Sequence, residues 1–422
     1  MDLHSGTFYW PTTFPDTPSY PALESDIECD VVIVGGGSSG AQCAFYLAGT
    51  GLDVVLVEKA RIGGGTTSAT SALIQYAGET MYTELVGRFG KEYIRRHLGL
   101  MKDAIDDIEQ AARAAAIDSE FSRRDTLYAA SSADDVGRLS AEYGLLKEFG
   151  FDVEFWRKAE IQEQFGFNRE AAIYSFNDGE LNPFRFTHAL IDYAAGKGMR
   201  VFEETSVVGC EFEVGGSKED ARGDLAGGGS DAELGSVVLR TSAGYTIKAR
   251  RPIFSTGYEG LDIKAEQKAS ISSTYVVTTN RIGGLTPMLL WETAQPFLFL
   301  RTTADGRFVI GGHDVDTADA SERDEKLHEK RDMLMAELGK LFPDIEAEAE
   351  YCVGAFFASV SDGLPIVGVY DEYPGSYFLF AFGDNGMVYG QLLAKLIVRD
   401  IVEGGCADLG LYLRERPLIG RI

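Results

Sequence analysis

Apolar runs punctuated by glycine divide the chain into predictable elements. Residues 30–35 (DVVIVG) read as a buried strand, 38–50 (SSGAQCAFYLAGT) as a helix and 53–58 (DVVLVE) as a second buried strand, a β-α-β unit. Residues 84–116 carry helical periodicity, expected to break near Gly87, Gly90 and Gly99. Residues 135–149 and 158–165 predict further helices. A helix from Phe184 to Lys197 follows Pro183, a residue suited to a first helical turn. Residues 200–214 and 236–256 alternate or run apolar as strands, and 271–312 holds several β-rich runs. Residues 321–341 predict a charged helix, 350–369 and 377–381 strands, and 385–403 a closing helix. Residues 5–26, rich in proline and aromatics, fit neither period and are expected to lie on the domain as an extended arm. The glycine-rich, charged segment 215–235 reads as a solvated hairpin excursion. There is no internal repeat.

The nucleotide-domain pattern therefore sits at the start, middle and end of the chain. The expected fold class is α/β: a discontinuous Rossmann-like domain over 27–80, 184–262 and 352–422. A β-rich α+β domain over 81–183 and 263–351 is threaded through it, and an arm covers 1–26. A length of 422 residues agrees with two domains.

Charge narrows the partners. With 39 basic and 65 acidic residues the formal charge is −26, which repels phosphate backbones and anionic lipid. Nucleic acid and membrane partners are not expected, and no apolar run reaches the roughly 18 residues of a membrane span. Cys29, Cys43, Cys210, Cys352 and Cys406 are scattered, which points away from a disulfide scaffold or metal site and towards a reducing compartment. The first residues have no basic start followed by an apolar run, so no secretory signal is expected and the location is expected to be cytoplasmic.

The chemistry starts at VVIVGGGSSG, residues 31–40. Gly35-x-Gly37-x-x-Gly40 falls where a strand becomes a helix. Gly35 permits the tight turn, Gly37 lets backbone approach a pyrophosphate, and Gly40 lets helix and strand pack closely. N–H groups at the helix start, around Ser38 and Ser39, then face the phosphates. Glu58 closes the next strand at the spacing of a ribose-binding acid. The fingerprint alone is compatible with NAD or FAD. A second small, hydroxyl-rich loop, Gly63 to Ser71, suits a longer extended cofactor equally well as it suits an ordinary flexible loop.

With these motifs in place, the chain resembles the D-amino-acid oxidase-like family of FAD-dependent oxidoreductases. The carrying segments are the 30–59 unit, RIGGGTTSATSALI at 61–74, ELNPFRFTHAL at 180–190, IFSTGYEG at 253–260 and FAFGDNGMVYG at 380–390. The resemblance implies that Gly35, Gly37 and Gly40, with Ser38 and Ser39, cradle the FAD pyrophosphate. It implies that Glu58, with Lys59 beside it, holds the adenosine ribose. Thr66, Thr67, Ser71 and Ala72 would follow the ribityl chain, Val207 would meet adenine, and Gly257 would lie near the pyrophosphate. Gly383, Asn385, Gly386 and Met387 would place a helix start beneath the flavin, where the helix dipole stabilises negative charge.

The implied reaction is oxidation of a C–N bond in an amine or amino acid by hydride transfer to flavin N5, followed by hydrolysis of the imine. Oxygen or another acceptor would reoxidise the flavin. His313 matches a histidine near the substrate in sarcosine oxidases, and reads equally as a strand-end surface histidine. Tyr258 and Arg301 are the further catalytic candidates. Arg301, Arg281 and Arg185 are candidates to pair a substrate carboxylate. Tyr258, Tyr275, Trp291 and Phe356 are candidate pocket walls or core residues. Sarcosine oxidases carry a lysine where this chain has Val309, with Arg307 two residues earlier, which puts fast oxygen use in doubt. Cys352 lies three residues from the position implied for a flavin-tethering cysteine, so FAD is expected to be non-covalent. The same scaffold also serves 2-hydroxy acids or polyol phosphates, and a flavin-binding module without turnover is a third reading.

Overall fold

A computed structural model describes residues 2–78, 80–213, 235–294 and 297–419. The 215–235 excursion lies outside the described residues except for Gly235. The described residues build two sheets.

The first sheet runs Ile366–Gly368, Tyr377–Phe380, Thr246–Phe254, Ile27–Val34, Val54–Val57 and Arg200–Phe202, with Ser236–Thr241 and Val207–Glu213 hooked on antiparallel. The run from Tyr377–Phe380 to Arg200–Phe202 is parallel. Strand Ile27–Val34 shows why it is central. Val31 and Ile33 join the cluster on the helix side, and Val32 and Val34 join the one on the other face. Burial on both faces explains the unbroken apolar run, and each such Val or Ile contributes roughly 1.5–3 kcal/mol. Helix Ser38–Leu47 packs between Pro183–Gly196 and Gly386–Glu403 on the helix side.

The second sheet has ten strands, from His4–Gly6 through Ala349–Val360, Ala269–Thr279, Phe308–Val315, Leu298–Thr302, Leu289–Glu292, Ser122–Ala129 and Ala171–Glu180 to Leu73–Ile74, with Val153–Arg157 pairing to Ala171–Glu180. Helix Leu327–Leu341 covers one face, packing Leu334, Leu338 and Leu341 on Tyr275, Val277, Phe308 and Ile310. The other face turns towards the glycine-rich turn of the first sheet.

Several expectations need correction. The arm is not wholly irregular: His4–Gly6 forms an edge strand on Ala349–Val360, and Trp10–Thr13 is a 3-10 turn. The 84–116 pattern is two helices, Tyr82–Phe89 and Lys91–Ala114. They break only at Gly90, whose φ of +91° is left-handed; Gly87 and Gly99 stay inside the helices. The charged helix is likewise split, into Ala320–Glu325 and Leu327–Leu341. The strands Ser122–Ala129, Val153–Arg157 and Ala171–Glu180 were not expected, because neighbouring helical patterns masked their short period. Ala349–Val360 hydrogen-bonds in the ten-stranded sheet, so the expected boundary at residue 352 falls inside one of its strands. Among the described residues, no helix is long and apolar enough to cross a membrane, and no group of three or more His, Cys, Asp or Glu is placed to hold a metal.

Candidate active site

The glycine-rich turn is shaped by contacts that exclude a side chain at Gly35 and Gly40. Gly35 has a φ of +110°, and a Cβ there would sit 2.6 Å from the Ser255 carbonyl oxygen. A Cβ on Gly40 would collide with the Gly35 carbonyl oxygen and stand 2.8 Å from Ser255 Oγ. Gly37 is the N-cap of helix Ser38–Leu47 and supplies no side-chain cap, so the first helical N–H groups are left for other acceptors. One finds Thr67: the Ser38 N–H donates to its Oγ1 at 3.0 Å. This bond joins the two small-residue loops predicted to share a ligand.

Glu58 Oε2 accepts from the Gly36 N–H at 2.7 Å, and Oε1 accepts from the Ala60 N–H at 2.9 Å. The acid thus braces the turn as well as standing at the strand end, and each oxygen keeps a further lone pair for a ribose hydroxyl. Burial raises its pKa, against the lowering effect of those two N–H bonds. Lys59 Nζ is held by Glu259 at 2.6 Å. Val207 starts the strand Val207–Glu213 opposite Thr241.

A cavity of about 160 Å³ opens from this turn towards the ten-stranded sheet. Of the predicted residues, Ser38, Ser39, Thr66, Thr67, Ser71, Gly257, Tyr258, Gly383, Gly386 and Met387 line it. The fold thus brings together loops more than 300 residues apart in sequence. The Gly383–Met387 segment is fixed from behind. Asn385 Nδ2 donates to the Ala77 carbonyl at 2.7 Å, and Gln42 Nε2 donates to the Met387 carbonyl at 2.9 Å.

The opposite wall is aromatic, with Trp291, Phe297, Phe299 and Phe356. Trp291 and Phe299 stack with centroids 5.9 Å apart. Of the predicted walls, Trp291, Phe356 and Tyr258 line the cavity. Tyr275 faces the other way, into the cluster beneath helix Leu327–Leu341.

His313 is not in the cavity wall. It has a φ of +54°, and the groups that act on its charge, Lys330, Glu337 and Lys340, all belong to helix Leu327–Leu341. Its ring therefore faces the helix-covered side, where burial lowers its pKa. Gly312 and Asp314, its neighbours, do line the cavity. The pairing register shifts here, between Ser273 and Tyr275, and a bulge of this kind re-aims side chains.

Arg301 is also outside the wall. Its Nη1 donates to the carbonyls of Ser71 (3.1 Å), Ala72 (2.8 Å) and Leu181 (2.9 Å), and its guanidinium lies 5.3 Å over the Trp10 ring. It is a brace for the loop in which Ala72 holds a φ of +54°. Arg281 pairs with Asp305, and Arg185 donates to the Thr13 carbonyl. Val309 is buried in a cluster with Tyr9, Trp10, Phe184 and Val276, and Arg307 is engaged by Asp305 and Glu350. Cys352 packs on the helix-covered side of the sheet, and burial pushes its thiol up to about 11.

The sequence reading missed Asp314, which lines the cavity; Asp384, within the Gly383–Met387 segment, lines it too. Strand alternation from Gly312 was the available signal for Asp314, but the bulge obscured it. Asp314 Oδ1 and Trp291 Nε1 are sealed from solvent without a hydrogen-bond partner among the described residues. Thr256 Oγ1, beside the Gly257 turn, is a third such atom. Buried polar atoms left open in a cavity wall are groups that a ligand satisfies. The uncapped helix start, the side-chain-free glycine turn and Thr256 Oγ1 fit a long cofactor with a pyrophosphate at one end and a ring at the other, while Asp314 Oδ1 and Trp291 Nε1 stay open in the cavity wall.

The arm holds this site together. Trp10 Nε1 donates to the Thr70 carbonyl at 2.8 Å, and Tyr9 OH donates to Asp305 at 2.6 Å. Replacing Trp10 with alanine removes both the bond to Thr70 and the cover over Arg301. We expect the variant to remain folded by far-ultraviolet circular dichroism but to hold FAD about tenfold more weakly. Equal flavin content after dialysis would contradict this.

Residues 30–399 match the family described as DAO, FAD dependent oxidoreductase. A Bacillus subtilis protein, YhfW, whose name describes a Rieske 2Fe-2S iron-sulfur protein, is 30% identical over 197 residues, which span 47% of this chain but only 38% of that protein. The gamma-glutamylputrescine oxidoreductase of Escherichia coli is 22% identical over 409 residues, covering 94% of this chain and 89% of that one. The crystal structure of glycine oxidase from Geobacillus kaustophilus superposes with a TM-score of 0.70 at 21% identity, covering 89% of this chain and 95% of that one. The glycine turn, the cavity and a match over most of the chain agree: this protein belongs to the DAO family of FAD-dependent oxidoreductases.

Proposed function

We propose that the protein oxidises the C–N bond of a small amine or amino acid, with FAD held non-covalently. The observation that carries this reading is the aromatic-walled cavity between the glycine turn and the ten-stranded sheet. In this reading the two sheets mark the two domains, one for the cofactor and one for the substrate. Gly35, Gly37 and Gly40 with Ser38 and Ser39 hold the pyrophosphate, Glu58 the ribose, and Thr66, Thr67 and Ser71 the ribityl chain. Val207 approaches the adenine. The helix start at Gly386 and Met387 supports the ring. FAD supplies the hydride acceptor, and water hydrolyses the imine product.

The chain's own contribution is positioning. Trp291, Phe297, Phe299 and Phe356 confine the substrate and exclude bulk water, which strengthens every charge interaction inside. No His, Lys or Arg lines the cavity among the described residues. A polyol phosphate would find no cation there, and a 2-hydroxy acid would find no histidine base, which weighs against both alternatives.

The test is spectroscopic. The purified protein is expected to be yellow, and an amine or amino acid is expected to bleach it without oxygen. Bleaching by hydroxy acids alone would overturn the reading, and a flavin that nothing reduces would favour a module without turnover. Readmitting air then separates oxygen from another acceptor. With Val309 buried under the arm, we expect recolouring to be slow, and rapid recolouring would show that no lysine is needed there.

A further inference from the structure

Two charged residues line the cavity among those described, Asp314 and Asp384, and both are acids. The three arginines within reach by sequence are spent elsewhere: Arg301 on backbone carbonyls, Arg281 on Asp305 and Arg185 on the Thr13 carbonyl. A substrate carboxylate in this space would meet two like charges and no guanidinium fork. An ammonium would meet the reverse: the Asp314 carboxylate to pair with, in a space walled by the aromatic residues Trp291, Phe297 and Phe299.

We propose that this cavity selects a cationic amine whose reacting carbon bears no carboxylate, and that Asp314 is the residue that pairs with the ammonium. The inference rests on the amine-oxidation reading above and narrows it. Asp314 is placed for this role by three observations. Thr274, a cavity residue on the neighbouring strand, hydrogen-bonds its carboxyl, which fixes the side chain on the cavity side. Its Oδ1 is sealed from solvent and has no hydrogen-bond partner among the described residues. Burial pushes its pKa up to about 6, the response of a carboxylate that lacks a close cation, with Lys330 acting on it only as a lesser lowering influence. A bound ammonium supplies both the missing donor and the missing charge.

The test uses the holoenzyme and a matched pair: butylamine, and norvaline, which is the same chain with a carboxylate on the reacting carbon. Anaerobic flavin reduction at increasing concentration yields a Kd for each. Calorimetry with butyltrimethylammonium, a cation that cannot form an imine, reads the site without turnover. We expect butylamine to bind at least about tenfold tighter than norvaline, and Asp314→Asn to weaken both cations by about tenfold or more. Norvaline affinity should be unchanged or improved in that variant. Its flavin spectrum and melting temperature report whether the fold is intact, and Asp314→Glu should restore part of the affinity.

Norvaline binding as tightly as butylamine, or cation affinity untouched by Asp314→Asn, overturns the inference. Asp314-dependent binding of the quaternary cation with no bleaching by any amine supports the inference while sinking the amine-oxidation reading. Bleaching by norvaline with no cation binding does the opposite.

Discussion

Arg301→Met is expected to strip the flavin from the protein and to destabilise the fold by on the order of 3–5 kcal/mol. Methionine keeps much of the volume but none of the donors. The carbonyls of Ser71, Ala72 and Leu181 then stay buried without the Arg301 donor, and Glu180, 3.6 Å from the guanidinium, keeps only its pair with Arg124. The Arg301 guanidinium is itself so buried that desolvation lowers its pKa, with the charge of Glu180 acting the other way. Ala72 suffers first, because its φ of +54° is a strained conformation for a residue with a Cβ and depends on its surroundings. The measurement is flavin-to-protein absorbance ratio alongside a urea titration. A variant that keeps full flavin and loses less than about 1 kcal/mol would show that the brace is dispensable. Arg301→Lys should not rescue it, since a single ammonium replaces only one of the three nitrogens, which reach the three carbonyls, the Thr302 carbonyl and Glu180 in different directions.

The second large effect is at Gly40. Gly40→Ala adds a single methyl group where the Gly35 carbonyl oxygen and Ser255 Oγ already stand. Backbone cannot move aside as a flexible side chain can, so helix Ser38–Leu47 must shift away from the turn. That shift breaks the Ser38 N–H to Thr67 bond and displaces the first helical N–H groups. We expect FAD affinity to fall by about a hundredfold or more, with the apoprotein still folding because the helix packs mainly through Ala41, Cys43, Ala44 and Leu47. Flavin fluorescence titration of refolded apoprotein measures this. Wild-type affinity in Gly40→Ala would mean that close helix–strand approach is not what shapes the phosphate site. A gentler companion, Gly49→Ala, faces open space, and its cost should come only from its φ of +79°.

Much of the glycine turn was legible from residue order alone. A glycine turn carries its own geometry, because only glycine tolerates the contacts around Gly35 and Gly40. Strand periodicity and the acid at Glu58 follow within one β-α-β unit, over a chain distance short enough for local pattern to decide. The closing helix Gly386–Glu403 was legible from its own period. The far wall of the cavity was not. His313 and Asp314 are adjacent in sequence, and a single bulge opposite Thr274 sends one to the helix-covered face and the other to the cavity. Arg301 carries no sign in sequence that carbonyls from 120 and about 230 residues away will consume its donors.

The sequence by itself determined the α/β class and the glycine turn between the first strand and its helix, because both rest on spacings within a few tens of residues, where backbone sterics and period 2 or 3.6 dictate the outcome. Its resemblance, carried by motifs spread over the whole chain, pointed to the family. Tertiary structure alone decided which charges face the cavity. It brought the arm's Trp10 over Arg301, turned His313 away, and left two carboxylates and a set of aromatic rings as the wall. The reason is physical: a side chain's role in a cavity depends on which face it takes and which distant donors or acceptors it meets, and neither is written in its neighbours along the chain.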